Sequence, residues 1–200
     1  MREALEAALS DLESGRRAAL VTPVGTEGSV PTGRLARMLV RADGSCVGTV
    51  GGGKMEAEAA DEARVEGDRP RLVEFTLTNA DAMADGLLCG GRATFLVEPL
   101  GGDEAATSLR SLCRAVTSDS VALEVIRLDG HHLGRRLVLV GDPGAPAAAA
   151  GGLGDAAVEA AVAACRDEAI EDDVSEVRRL ERAGGAEVYL NAVCPRPTLL

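Results

Sequence analysis

The 200 residues contain no tryptophan, and Phe75, Phe95 and Tyr189 are the whole aromatic set. That excludes a protein that stacks bases or sugars on aromatic platforms, and it obliges any core to be built from Leu, Val and Ala. Lysine is nearly missing too, since Lys54 stands alone beside twenty arginines, a bias of composition with little bearing on function. The five cysteines, Cys46, Cys89, Cys113, Cys165 and Cys194, are odd in number, widely spaced and never arranged as CxxC. A disulfide framework and a zinc signature are thereby excluded, and a reducing compartment is expected. No apolar run approaches a membrane span, and Glu3, Glu6, Asp11 and Glu13 punctuate the first helix as no signal peptide allows. The expected location is cytoplasmic, with no membrane partner. Positive charge is the scarcer sign, with 21 basic against 32 acidic residues and a net charge of −11, so a nucleic-acid partner is excluded as well.

What is present is 46% hydrophobic and 26% charged side chains, enough to bury a core. Leu5, Ala8 and Leu12 fall at helical spacing, and the helix they predict ends at Ser14-Gly15. Strands are predicted over 18–24, 35–40, 46–50, 71–77 and 92–98, with Asp43-Gly44 as a hairpin turn. Gly25 to Gly33 reads as a loop, as does Asn79 to Leu88, and Lys54 to Arg64 reads as a helix. The second half repeats this order. Arg37-Met38-Leu39-Val40 returns as Arg136-Leu137-Val138-Leu139, Gly52-Gly53 with Glu56 as Gly151-Gly152 with Asp155, and Gly90-Gly91 as Gly184-Gly185. The expected fold is α+β, a single domain over 1–200 made of two αβββαββ pseudo-repeats, 1–100 and 104–197, with mixed sheets and flanking helices. On this matching Lys54 is replaced by Leu153 and Cys89 by Ala183, which assigns the ligand site to the first copy.

Three segments of that copy carry candidate chemistry. Gly51-Gly52-Gly53, between a strand and a helix, lets backbone approach a ligand and presents helix amides to an anion. Lys54, Arg34, Arg37 and Arg41 supply local positive charge there, four basic residues against one acidic from 28 to 54. The alternative for the glycines is a tight turn with close helix packing. Glu56, in the first helical turn, reads as a cap. Cys89, between a polar loop and Gly90-Gly91, is the candidate accessible thiolate. The other four cysteines read as small buried hydrophobes. Ser29 has no base to make it a nucleophile, because His131 and His132 fall in a predicted turn.

The series Gly28-Ser29-Val30-Pro31, Ala36 to Val40, Gly48-Thr49-Val50-Gly51-Gly52-Gly53-Lys54-Met55-Glu56, Cys89-Gly90-Gly91 and Val97-Glu98-Pro99-Leu100 resembles the XdhC/CoxI family over about residues 18 to 100. The resemblance implies a chaperone that binds molybdenum cofactor, carrying it rather than using it, and assists its insertion into an apo molybdenum hydroxylase such as xanthine dehydrogenase or carbon monoxide dehydrogenase. The implied cofactor-binding residues are Gly28, Ser29, Pro31, Gly51, Gly52, Gly53, Lys54, Glu56, Cys89, Gly90 and Gly91, with Cys89 also the candidate molybdenum contact. Thr32 follows Pro31 where the family usually has Arg. Val188 to Pro197 resembles the segment that leads, in longer members, into a Rossmann-like domain that these 200 residues lack. Two alternatives stay open: Cys89 as a persulfide carrier, served by a cysteine desulfurase, and a non-catalytic scaffold or regulator docking on the hydroxylase. A homodimer fits any of the three.

Overall fold

The computed structural model describes residues 1–33, 35–64, 67–77 and 90–194, with Arg182 described by its backbone alone. The chain divides into two compact units at Gly101/Gly102. Unit 1 runs α1 (Arg2–Glu13), β1 (Ala18–Gly28), β2 (Arg37–Arg41), β3 (Cys46–Thr49), α2 (Gly53–Arg64), β4 (Arg71–Leu77) and β5 (Gly91–Pro99). Unit 2 runs α3 (Asp103–Thr117), β6 (Ala122–Arg127), β7 (Arg136–Val140), β8 (Ala148–Gly151), α4 (Ala156–Glu171), β9 (Ser175–Leu180) and β10 (Ala186–Val193). The fold is α+β, with sheet orders β3-β2-β1-β5-β4 and β8-β7-β6-β10-β9. Every pairing among the described residues is antiparallel, where the sequence predicts mixed sheets. Hairpin connections and the return of β5 beside β1 need no parallel neighbours. The expected loop over Asn79 to Leu88, Arg34, and the last residues of the expected second repeat lie outside the described residues.

Each unit has its own apolar layer between sheet and helix. In unit 1, Ala19 and Val21 of β1, Met38 and Val40 of β2, and Phe95 and Val97 of β5 alternate onto the face that packs on Met55, Ala59 and Ala60 of α2. Phe75 and Phe95 meet at 5.0 Å between ring centres, so most of the aromatic surface in the chain is gathered at one place. In unit 2, Leu123, Val125, Leu137, Leu139, Val188 and Leu190 pack on Val158, Val162 and Ala169 of α4. In α1, Ala4, Leu5 and Ala8 are buried and so is Asp11, whose carboxylate takes Arg41 of β2 at 2.5 Å and Arg16 at 2.9 Å. A buried carboxylate is tolerated only when paired in this way. No helix among the described residues is long and apolar enough to cross a membrane.

Two expectations about unit 1 are corrected. Gly25 to Gly28 is strand rather than loop, pairing residue by residue with Gly91 to Thr94 after a bulge between Pro23 and Gly25. Proline lacks the ladder N–H, and a bulge is where a central strand accommodates it. Cys46 is exposed rather than buried, because β3 is an edge strand and its Sγ faces the Gly44 carbonyl at 3.6 Å. Of the other cysteines described, Cys113 is buried and Cys165 and Cys194 are partly buried.

The repeat has a structural register that differs from the sequence matching. Gly48 and Gly151 hold equivalent places: a Cβ on Gly48 would lie 2.4 Å from the Arg37 carbonyl and 2.9 Å from Ala4, and one on Gly151 would lie 2.1 Å from the Arg136 carbonyl and 3.0 Å from Ser108. Leu153 therefore matches Val50, not Lys54, and Asp155 matches Gly52, not Glu56. The sequence matching slips because the β7–β8 turn is longer than the β2–β3 turn: Val40 pairs with Cys46, and Leu139 with Ala149. Because Gly48 also sits at φ +85, Gly48→Ala adds backbone strain to a steric clash and is expected to cost roughly 3 kcal/mol. Denaturant unfolding of that variant beside Arg69→Ala as a surface control checks this, and a Gly48→Ala protein as stable as the parent removes the close approach.

Candidate functional site

Three glycine-bearing segments converge at one end of the unit 1 sheet. Gly28 closes β1 at φ +75, and a Cβ there would lie 2.7 Å from the Gly90 carbonyl. Gly91 opens β5, where a Cβ would lie 2.3 Å from the Glu27 carbonyl and 3.2 Å from the Ser29 nitrogen. The Ser29 N–H donates to the Gly90 carbonyl at 3.1 Å. A Cβ on Gly51 would come within 2.8 Å of the Pro31 carbonyl. Backbone thus touches backbone across Gly28, Gly90 and Gly91, and again between Pro31 and Gly51, and only glycine permits both approaches. Gly28, Ser29, Pro31, Gly51, Gly90 and Gly91 are assembled; Cys89 lies outside the described residues.

The strand-to-helix turn is the informative part. In unit 1 the Val50 N–H donates to Glu56 Oε1 at 3.1 Å, and in unit 2 the Leu153 N–H donates to Glu159 Oε1 at 2.7 Å. The same tie is made in both units, by Glu56 in unit 1 and by its counterpart Glu159 in unit 2. Between the tied residues the two turns have equal length but different chemistry. Unit 2 uses Gly154-Asp155-Ala156, with only Gly154 at positive φ, and the Asp155 carboxylate accepts from the Ala157 and Val158 amides as an N-cap. Unit 1 uses Gly51, Gly52 and Gly53 at φ +137, +81 and +61. A single glycine suffices for this turn, so three are not needed to make it. The replacement removes every side chain, and with it the carboxylate, from the start of α2. Gly52 itself has open space where a Cβ would point.

Side-chain charge is arranged otherwise than the sequence predicts. Lys54 is exposed and lies 3.7 Å from Glu58 one turn on. Arg37 is fully buried and donates to the Ala36 carbonyl at 2.7 Å. Arg41 is at the far end of β2, held by Asp11, and Arg34 lies outside the described residues. The N-terminus of α2 adds positive potential at this corner. One group escaped the sequence reading: the Thr32 hydroxyl, beside Pro31, is buried and has no hydrogen-bond partner among the described residues. A buried hydroxyl without a partner is costly, and a loop threonine between Pro31 and Gly33 carries no sequence mark of it. His131 and His132 belong to a short 3₁₀ turn of unit 2, with ring centres 4.0 Å apart. Partial desolvation and the charges of His131, Arg127 and Arg135 hold His132 below its usual range against an opposing effect of Asp155. No cluster of three metal-ligating side chains occurs among the described residues.

Comparison with known proteins gives three findings. Residues 11–76 match the XdhC and CoxI family. An uncharacterized protein of Escherichia coli K12, YqeB, is 38% identical over 85 residues, covering 42% of this chain and 16% of that protein. A crystal structure described as a xanthine dehydrogenase from Bacillus halodurans superposes with a TM-score of 0.63 at 17% identity, over 97% of this chain and 53% of that one, a likeness of fold. The chain spans about half the length of that structure and a smaller share of the curated relative.

Glu56 offers a direct check on the tie. Glu56→Ala leaves the Val50 N–H without its acceptor and is expected to cost about 1–3 kcal/mol, whereas Glu56→Gln keeps an oxygen in place and should recover most of that. Equal stability of the two variants in denaturant titrations contradicts the role.

Proposed function

We propose, from the match of residues 11–76 to the XdhC and CoxI family, that unit 1 binds molybdenum cofactor and assists the maturation of a molybdenum hydroxylase. The observation that supports it most is the difference between the two turns: an Asp-capped helix start in unit 2, and a run of three glycines at positive φ at the same place in unit 1. A phosphate group suits the second arrangement, because the first-turn amides of a helix and its positive end favour an anion where no side chain intervenes. The orphaned Thr32 hydroxyl fits a ligand with oxygen acceptors or donors. Gly51, Gly52 and Gly53 would admit the phosphate to the amides of Lys54 and Met55, and Gly28, Ser29 and Gly91 would border it. The bound group supplies its redox chemistry to the hydroxylase, and the residues of this chain hold and release it.

Grafting the unit 2 turn into unit 1 tests this. Gly52→Asp with Gly53→Ala puts at the start of α2 the two residues that unit 2 carries there, and the Asp carboxylate repels an anion from the first-turn amides. The full chain is incubated with molybdenum cofactor released from a molybdenum hydroxylase and then gel-filtered, with molybdenum and oxidised pterin measured in the protein fraction. The parent is expected to retain both, and the graft to retain neither while staying folded, at an unfolding temperature lowered by the strain of side chains at φ +81 and +61. Retention by a folded graft equal to that of the parent, or none by the parent, overturns the reading.

A further inference from the structure

Unit 2 fills a space that unit 1 leaves open. Arg166 of α4 is 6% exposed and donates to the carbonyls of Gly141, Asp142 and Ala145 in the β7–β8 turn, those to Asp142 and Ala145 at 3.0 and 3.1 Å. Counting along the helices from the tied Glu56 and Glu159 sets Ala63 opposite Arg166. The strand pairings set Ala19, partner of Val40, opposite Leu123, partner of Leu139. The two units agree beside this point as well, with the Ala42 N–H on the Arg17 carbonyl in one and the Gly141 N–H on the Val121 carbonyl in the other. With alanine at both positions, unit 1 has a cavity of about 280 Å³ whose lining includes Ala19, Ala63, Arg17, Arg41, Arg64 and Asp68. It lies where Ala18 pairs with Arg41, at the opposite end of the sheet from the paired Gly28 and Gly91.

We propose that this cavity binds a small molecule carrying one anionic group, carboxylate or phosphate, on a compact apolar body. Ala18, Ala19, Val40, Ala63 and Leu100 give the lining its apolar part, and the three arginines Arg17, Arg41 and Arg64 its positive charge. Two of these are positioned in advance: Arg41 by Asp11 at 2.5 Å, and Arg64 by Asp61 at 2.9 Å and the Gly44 carbonyl at 3.3 Å. Arg17 is exposed and has no ion pair among the described residues, so its charge is the one left for a ligand. Asp68 lines the same space, and its charge disfavours a polyanion. The site is separate from the glycine corner and does not depend on what that corner binds.

Benzoate and phenyl phosphate, titrated into the full chain with benzyl alcohol as the uncharged control, test the assignment by amide chemical shifts and calorimetry. Saturable shifts confined to residues 17–19, 40–42 and 63–64 are expected from at least one anion and not from the alcohol, and the stronger of the two identifies the group preferred. Arg17→Gln, a surface change that leaves the fold intact, should weaken binding about tenfold, and Ala19→Leu, which restores the bulk of Leu123, should abolish it. No saturable shift from either anion, equal binding of the alcohol, or undiminished affinity in Arg17→Gln overturns the proposal.

Discussion

One carboxylate in each unit holds the junction between sheet and helix. Glu56 and Glu159 each reach back to the N–H of the residue that has just left the third strand, and the bond fixes where the helix begins. Once the helix is held by that tie, the residues between are released from holding it. Unit 2 uses this freedom to add a second anchor, the Asp155 cap. Unit 1 uses it to clear the helix start of side chains. The two turns differ by substitutions that leave the tie, the turn length and the packed layer beneath unchanged.

A protein of net charge −11 can still hold an anion if the attraction is short in range and built from dipoles. The glycine corner meets that condition, since among the described residues Arg37 is buried and Arg41 is engaged elsewhere, while the helix start and the close-packed backbone of Gly28, Gly90 and Gly91 remain. Amide groups fixed by the fold lose no side-chain freedom when they bind, as an exposed lysine does. They also select by geometry, because their directions are set by the strand and helix they belong to.

Much of this was legible in the sequence, and what was not has identifiable causes. Alternating and helical periodicities gave the αβββαββ order because each element buries one face against one layer. The strand character of Gly25 to Gly28 was hidden, since three of the residues around it have poor strand propensity and the pairing that overrides this comes from Gly91 to Thr94, far along the chain. The repeat register slipped because double glycines are easy to match, whereas the counterpart of Gly151 is Gly48, a lone glycine singled out only by the arginine carbonyl above it. Exposure of Cys46 follows from its strand lying at a sheet edge, which local sequence does not encode. The orphaned hydroxyl of Thr32 is a tertiary fact of the same kind.

The strand order also governs when the protein can form. In unit 1 the central strand β1 is the first strand made, yet it pairs on one side with β5, as in Val21 with Val97, so its ladder stays half-empty until the chain has been extended to Pro99. Until then only the β1–β2–β3 meander and α2 can assemble, with one edge of β1 bare. Closing a pairing between such distant residues is entropically expensive and slow. The glycine corner is therefore completed at the last step of unit 1 assembly, because Gly91 and Gly28 meet only when β5 arrives. On a ribosome delivering some 5–20 residues each second, the binding corner comes into existence as a late event, after the helix whose amides it uses is already in place.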